Sequence, residues 1–120
     1  LICDGEVLGK PVDEADAIRM LKMLSGKTHH VVTGVTLGRG CRYSSFSATT
    51  AVTFRELSDQ EIKAYVKSGE PMDKAGAYGI QGLGALLVEK IDGDFYNVVG
   101  LPVSRLAEEL HEFLKKVQSK

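Results

Sequence analysis

No hydrophobic run in this chain approaches the ~20 residues that a membrane-spanning helix needs. No charged-then-apolar leader reads as a secretion signal either. Charge of one sign is also missing. The 15 basic and 16 acidic residues leave a net charge of -1, without the clustered basic excess of a protein that grips a nucleic-acid backbone. Cysteine is scarce: Cys3 and Cys41 lie far apart without metal-ligand spacing and read as reduced thiols. His29 and His30 are adjacent, so on a strand they face opposite sides and cannot share a metal ion. No Ser-His-Asp arrangement is suggested by spacing, although order along the chain does not exclude one. Internal repeats and low-complexity linkers are absent. What remains is an ordinary globular composition, 43% hydrophobic and 26% charged, in a length that suits one domain over residues 1–120. The expectation is a soluble, cytoplasmic protein with neither a nucleic-acid nor a membrane partner.

Punctuation along the chain divides it into helices and strands. Residues 1–3 and Val7-Leu8 read as strand segments around an Asp4-Gly5 turn. Asp13 is a natural N-cap for a helix over about residues 13–25, whose apolar stripe is Ala17, Ile18, Leu21 and Leu24 and whose end is marked by Gly26. His30–Leu37 is β-branched and strand-like. Gly38-Arg39-Gly40 reads as a turn into a second strand, Arg42–Phe54, with alternation through Phe46, Ala48, Thr50, Val52 and Phe54. Ser58 and Glu61 form a capping box for a helix that turns Ile62, Tyr65 and Val66 inward and stops at Gly69. Leu83–Ile91 and Phe95–Val99 read as a hairpin through Asp92-Gly93-Asp94. Pro102 opens a last helix with Leu106, Leu110, Phe113, Leu114 and Val117 on one face and Lys115, Lys116 and Lys120 at its C-terminal end. The pattern predicts an α/β fold, a mixed twisted sheet flanked by helices.

The segment Glu70–Gln81, EPMDKAGAYGIQ, running into Gly82, is too punctuated for a helix. Its glycines allow positive φ or close approach to the backbone, which suits either a ligand-binding loop or a plain structural crossover. Gln81 carries both a donor and an acceptor, and the alternatives are pairing with a nucleobase edge or with its own loop backbone. The neighbours Asp73 and Lys74 read either as a solvated ion pair or as a metal-holding carboxylate beside a phosphate-facing ammonium. Tyr78 either stacks on a base or fills a core edge. Lys10, between Gly9 and Pro11, taken alone reads as a solvated lysine, although a rigid loop could aim its compact charge at phosphate.

DKAGAYGIQG, followed by GDFYNVVGLP at residues 93–102, strongly resembles the Maf family of nucleotide pyrophosphatases. Residues 4–35, DGEVLGKPVDEADAIRMLKMLSGKTHHVVTGV, match the same family in order and spacing, and the resemblance is weakest near residues 38–48. It implies a Maf/inosine-triphosphatase-like fold and hydrolysis of a nucleoside triphosphate to the monophosphate and pyrophosphate. It also implies a divalent cation, Mg²⁺ or Mn²⁺, as cofactor and admits a homodimer. Lys10 matches the family's substrate-phosphate lysine. Lys74 is implied as a further phosphate contact, with Asp73 and Tyr78 in support. Gln81 stands where the family's base choice is tracked, and the Tyr-Gly-Ile-Gln-Gly form resembles members acting on dTTP and UTP.

The same resemblance makes this chain look like the C-terminal portion of a longer domain. The family's Ser-x-Ser-Pro-Arg-Arg loop has no counterpart in it, and the Ala-Asp-Thr aspartate, the family's proton acceptor, would fall just ahead of Leu1. No catalytic residue is therefore assigned within the chain. Asp4 reads as a turn residue, since the family has an Asp-Gly there in addition to that aspartate. Three expectations follow: a pyrophosphatase acting on dTTP, UTP and modified pyrimidine nucleotides, an inactive nucleotide-binding or dimerisation module, or a module fused beside another enzyme's domain.

Overall fold

A computed structural model describes residues 1–118, so the expectation for Lys120 lies outside the described residues. The strands are β1 (Ile2–Cys3), β2 (Glu6–Val7), β3 (Thr28–Arg39), β4 (Arg42–Phe54) and β5 (Val88–Asp92), and the α-helices are α1 (Glu14–Leu24), α2 (Asp59–Lys67), α3 (Phe95–Val99) and α4 (Val103–Gln118). The protein is α/β, and every described strand pairing is antiparallel, in the order β2-β1-β3-β4-β5.

Local chemistry accounts for most of these boundaries. The β1–β2 hairpin turns at Asp4 (φ 50°) and Gly5 (φ 79°), the pair of positive φ values that a tight turn matched to strand twist requires. Asp4 thereby serves as a turn residue, and its carboxylate meets the Lys27 ammonium at 2.8 Å. The Asp13 carboxylate accepts the Asp16 amide at the start of α1. At α2, Ser58 and Glu61 each accept from the other's backbone amide.

β3 and β4 form a long ladder from Thr28↔Thr53 to Arg39↔Arg42. Its register sets His29 opposite Val52, Val31 opposite Thr50 and Val35 opposite Phe46, all on the more buried face. The turn is Gly40-Cys41 rather than Gly38-Arg39-Gly40. The alternation continues to the last pair, so Gly38 and Arg39 stay in the strand and two residues suffice for the reversal. β1 touches β3 only at Ile2↔His30, and β5 pairs only with Ala51–Phe54. The outer hairpin therefore projects, giving extents of 60 × 26 × 26 Å. α4 lies along it, with the Arg105 guanidinium 5.0 Å from the Phe46 ring centre. Of the apolar face expected on α4, Phe113 is buried, Leu106 and Val117 are half-buried, and Leu110 and Leu114 are exposed.

The expected hairpin of Leu83–Ile91 with Phe95–Val99 does not form. Gly82–Leu87 winds into a 3₁₀ helix and Phe95–Val99 is α3, its N-cap Asp94 accepting the Tyr96 amide at 2.8 Å. A short apolar run suits strand or helix equally, and the tertiary partners decide. β5 takes the open edge of β4, and Asn97 of α3 donates to the Val31 and Ala48 carbonyls and to Thr50 Oγ1. No helix among the described residues is long and apolar enough to cross a membrane.

At the base of the ladder the core closes around His29, Phe54 and Tyr78, with ring centroids 4.7–5.3 Å apart in edge-to-face contacts. His29 Nε2 shares a 2.6 Å hydrogen bond with the Tyr78 hydroxyl, and burial lowers the imidazole pKa to about 4. Above pH 6.5 the ring is neutral in folded and unfolded chains alike. Below it the unfolded chain binds a proton that the folded chain refuses, so stability present above pH 6.5 is lost as the pH falls through about 4. Urea unfolding at pH 7 and pH 4.5 should show wild type losing up to about 3 kcal/mol more than His29→Gln over that interval. Parallel losses in the two proteins would show that His29 does not carry this dependence.

Candidate active site

Between α2 and β5 the chain makes three 3₁₀ turns, Glu70–Asp73, Ala75–Ala77 and Gly82–Leu87. This is the punctuated segment of the sequence, and it forms one wall of a cleft of about 600 Å³. The opposite wall comes from Val31–Thr33 of β3 and from Asn97–Gly100 at the end of α3.

Glycine is required at two points in this wall. Gly76 has φ 76° and a Cβ there would run into the Leu1 side chain. At Gly84 a Cβ would overlap the Gly79 carbonyl oxygen and lie 2.9 Å from the Tyr65 hydroxyl. Gly76 also ties two loops together, because its amide donates to the Gly9 carbonyl at 3.0 Å. The Gly9-Lys10-Pro11 loop is thereby fixed beside the glycine segment.

The candidate residues separate into three settings. Lys74 and Gln81 line the cleft and are exposed to solvent. The Lys74 stem crosses Gly79, where a Cβ would lie 3.1 Å from Lys74 Cε. Its ammonium is 3.3 Å from Asp73, which is itself exposed and does not line the cleft. Gln81 is exposed, and among the described residues its amide has no hydrogen-bond partner. Lys10 is exposed on the adjoining loop, outside the lining, and likewise unpartnered. Tyr78 lines the cleft floor but is only 5% exposed, its ring packed on Phe54 and His29, so it supports the wall from within.

Two residues not singled out as site candidates prove central. Among the described residues Glu70 is the only acidic one lining the cleft, and its carboxylate accepts from the Tyr65 hydroxyl (2.8 Å), the Gly84 amide (3.0 Å) and the Leu83 amide (3.2 Å). Burial works against its charge, but these three donors outweigh it and hold the carboxyl below the usual range. Burial pushes the Tyr65 phenol up, so it stays protonated and donates. A sequence signal existed in the inward face of α2, since a buried tyrosine hydroxyl needs a partner and a carboxylate stands five residues on.

Among the described residues no group of three or more His, Cys, Asp or Glu side chains converges to hold a metal ion. With Glu70 engaged and Asp73 paired to Lys74, these residues do not make a cage for the expected divalent cation by themselves.

The cleft thus presents one exposed amide, which can both donate and accept, and one ammonium on a glycine-rich wall. The chain belongs to the Maf family: residues 1–113 match the family of Maf-like proteins. It is 56% identical over 114 residues to the dTTP/UTP pyrophosphatase of Bacillus velezensis, covering 94% of this chain and 60% of that protein. The proteins of the same name from Bacillus cereus strain AH820 and Bacillus pumilus are each 54% identical over 110 residues, covering 92% of this chain and 58% of theirs. The chain thus spans about 60% of the length of these curated relatives.

Gly84→Ala should destabilise the protein by about 1–3 kcal/mol, because the new methyl must displace the Gly79 carbonyl. Gly9→Ala, with nothing within 4 Å of the added carbon, should stay within about 0.5 kcal/mol of wild type. Urea unfolding of both variants checks the pair, and equal effects would contradict the close approach at Gly84.

Proposed function

We propose that this chain is the nucleotide-binding part of a nucleoside triphosphate pyrophosphatase that hydrolyses dTTP and UTP to the monophosphate and pyrophosphate in the cytoplasm. The observation that carries the reading is the convergence of Lys74 and an unpartnered Gln81 on one cleft, in a chain 54–56% identical to proteins named for that activity. A glutamine amide can donate and accept at once, which suits the alternating carbonyl and imide groups of uracil or thymine. Lys74 on the cleft and Lys10 on the tethered loop supply the positive charge that triphosphate needs, both in binding and as negative charge shifts during phosphoryl transfer.

In this proposal water attacks the α-phosphorus and pyrophosphate leaves. No residue of this chain is assigned as the proton acceptor, since Glu70, the one carboxylate lining the cleft among the described residues, already takes three hydrogen bonds. Mg²⁺ or Mn²⁺ would supply neutralisation of phosphate charge, and among the described residues no group of carboxylates converges to hold it.

Pyrophosphate release from dTTP, UTP, CTP, ATP and GTP, measured on the protein extended to the full length of its relatives, tests the reading. Preference for dTTP and UTP supports it, and a lack of turnover on all five would overturn it. In that protein Lys10→Ala should lower kcat/KM for every nucleotide by a similar factor, because phosphate is common to all. Loss confined to one base would mean that Lys10 reads the base.

Gln81→Glu should lower kcat/KM for dTTP and UTP about tenfold to a hundredfold and shift relative preference toward guanine nucleotides. An ionised carboxylate only accepts, so a pyrimidine carbonyl facing it loses its partner, at about 1–3 kcal/mol. An unchanged ratio among dTTP, UTP and GTP would show that Gln81 does not face the base.

A further inference from the structure

Glu70 has the position of a catalytic carboxylate and the contacts of a structural one. By place it would be taken for a general base or a metal ligand, being the only acid among the described residues that lines the cleft. Its oxygens are committed elsewhere. Oε1 accepts from the Tyr65 hydroxyl and the Gly84 amide, and Oε2 accepts from the Leu83 amide. The Tyr65 oxygen in turn accepts the Gly79 amide at 3.1 Å. The span from Gly79 to Gly84 is therefore held at both ends by two side chains, one from α2 and one from the turn that follows it. Gln81 lies within that span, and as its amide has no hydrogen-bond partner among the described residues, the backbone alone sets the point and direction from which its side chain leaves.

We propose that Glu70, with Tyr65 behind it, is the positioning residue that aims Gln81 and so sets base discrimination in the cleft. This rests on the reading of the cleft as a nucleotide site. The arrangement needs an ionised carboxylate, since all three groups that face it are donors. Glu70→Gln sets an amide N–H₂ against one of those donors and leaves the end of the span at Leu83–Gly84 poorly held. Tyr65→Phe keeps the charge of Glu70 but removes the hydroxyl that holds Gly79. Both variants should therefore loosen the same loop, whereas a general base or metal ligand would be lost only in the first.

The test pairs amide hydrogen exchange in the 120-residue chain with kcat/KM for UTP and GTP in the extended protein. The Leu83 and Gly84 amides should exchange about tenfold faster or more in Glu70→Gln, and the Gly79 amide in Tyr65→Phe. Val66 in α2 and Phe54, whose amide donates to the Lys27 carbonyl, should keep wild-type rates. The UTP-to-GTP ratio should fall about tenfold in Glu70→Gln and in the same direction, by less, in Tyr65→Phe. Unchanged exchange in both variants overturns the proposal. So does an equal loss on UTP and GTP in Glu70→Gln with Tyr65→Phe at wild-type activity, because that pattern belongs to a group acting on the reacting atoms. If wild type processes neither nucleotide while the exchange changes persist, the nucleotide reading and the specificity role that rests on it fail together, and the clamp alone stands.

Discussion

The ladder between β3 and β4 holds twelve consecutive residue pairs in one register, and both the core and the cleft are built on it. Side chains alternate across a strand, so this register alone sends His29, Val31, Thr50, Val52 and Phe54 to the same face. A slip of one residue would turn that set outward and deprive Tyr78 of the imidazole it bonds. The ladder also presents the Val31 and Ala48 carbonyls and the Thr50 hydroxyl, which together seat Asn97 and hence α3. One wall of the cleft is therefore the ladder and what the ladder anchors.

The other wall has no regular ladder of its own. Its backbone donors are met by side chains and by neighbouring loops, which is how irregular chain is held without a helix or sheet to pair it. Glu70 answers two amides, Tyr65 answers a third, and the Gly9 carbonyl answers Gly76. Tyr78 fastens the middle of the segment to the core through His29. The candidates Lys10, Asp73, Lys74 and Gln81 are among the polar side chains that this bracing leaves exposed.

Legibility in the sequence followed the range of the interaction. α1, α2 and α4 were readable because their caps and apolar stripes lie within a few residues of one another: Asp13 with Asp16, Ser58 with Glu61, Pro102 ahead of Leu106. The Asp4-Gly5 turn was readable for the same reason, as was β4 from its alternation. The Gly40-Cys41 turn was misplaced by two residues, since nothing local says where an exposed ladder stops. Leu83–Leu87 and Phe95–Val99 were taken for strands because a short apolar run carries no period of its own. Their conformations depend on Glu70, on Asp94 and on the open edge of β4.

The sequence by itself determined the α/β class, the starts of α1, α2 and α4, and the family to which the chain belongs. All of these rest on short-range spacing or on long motifs in order. Only the tertiary structure decided which of the candidates share a cleft. Lys74 and Gln81 do, Tyr78 reaches the cleft only from the core, Lys10 stands on a loop tethered alongside and Asp73 faces solvent. It also decided that Glu70 is spoken for. A carboxylate in a sequence offers two acceptors to anything, and only the arrival of three specific donors from α2 and from residues thirteen and fourteen positions onward shows what it does.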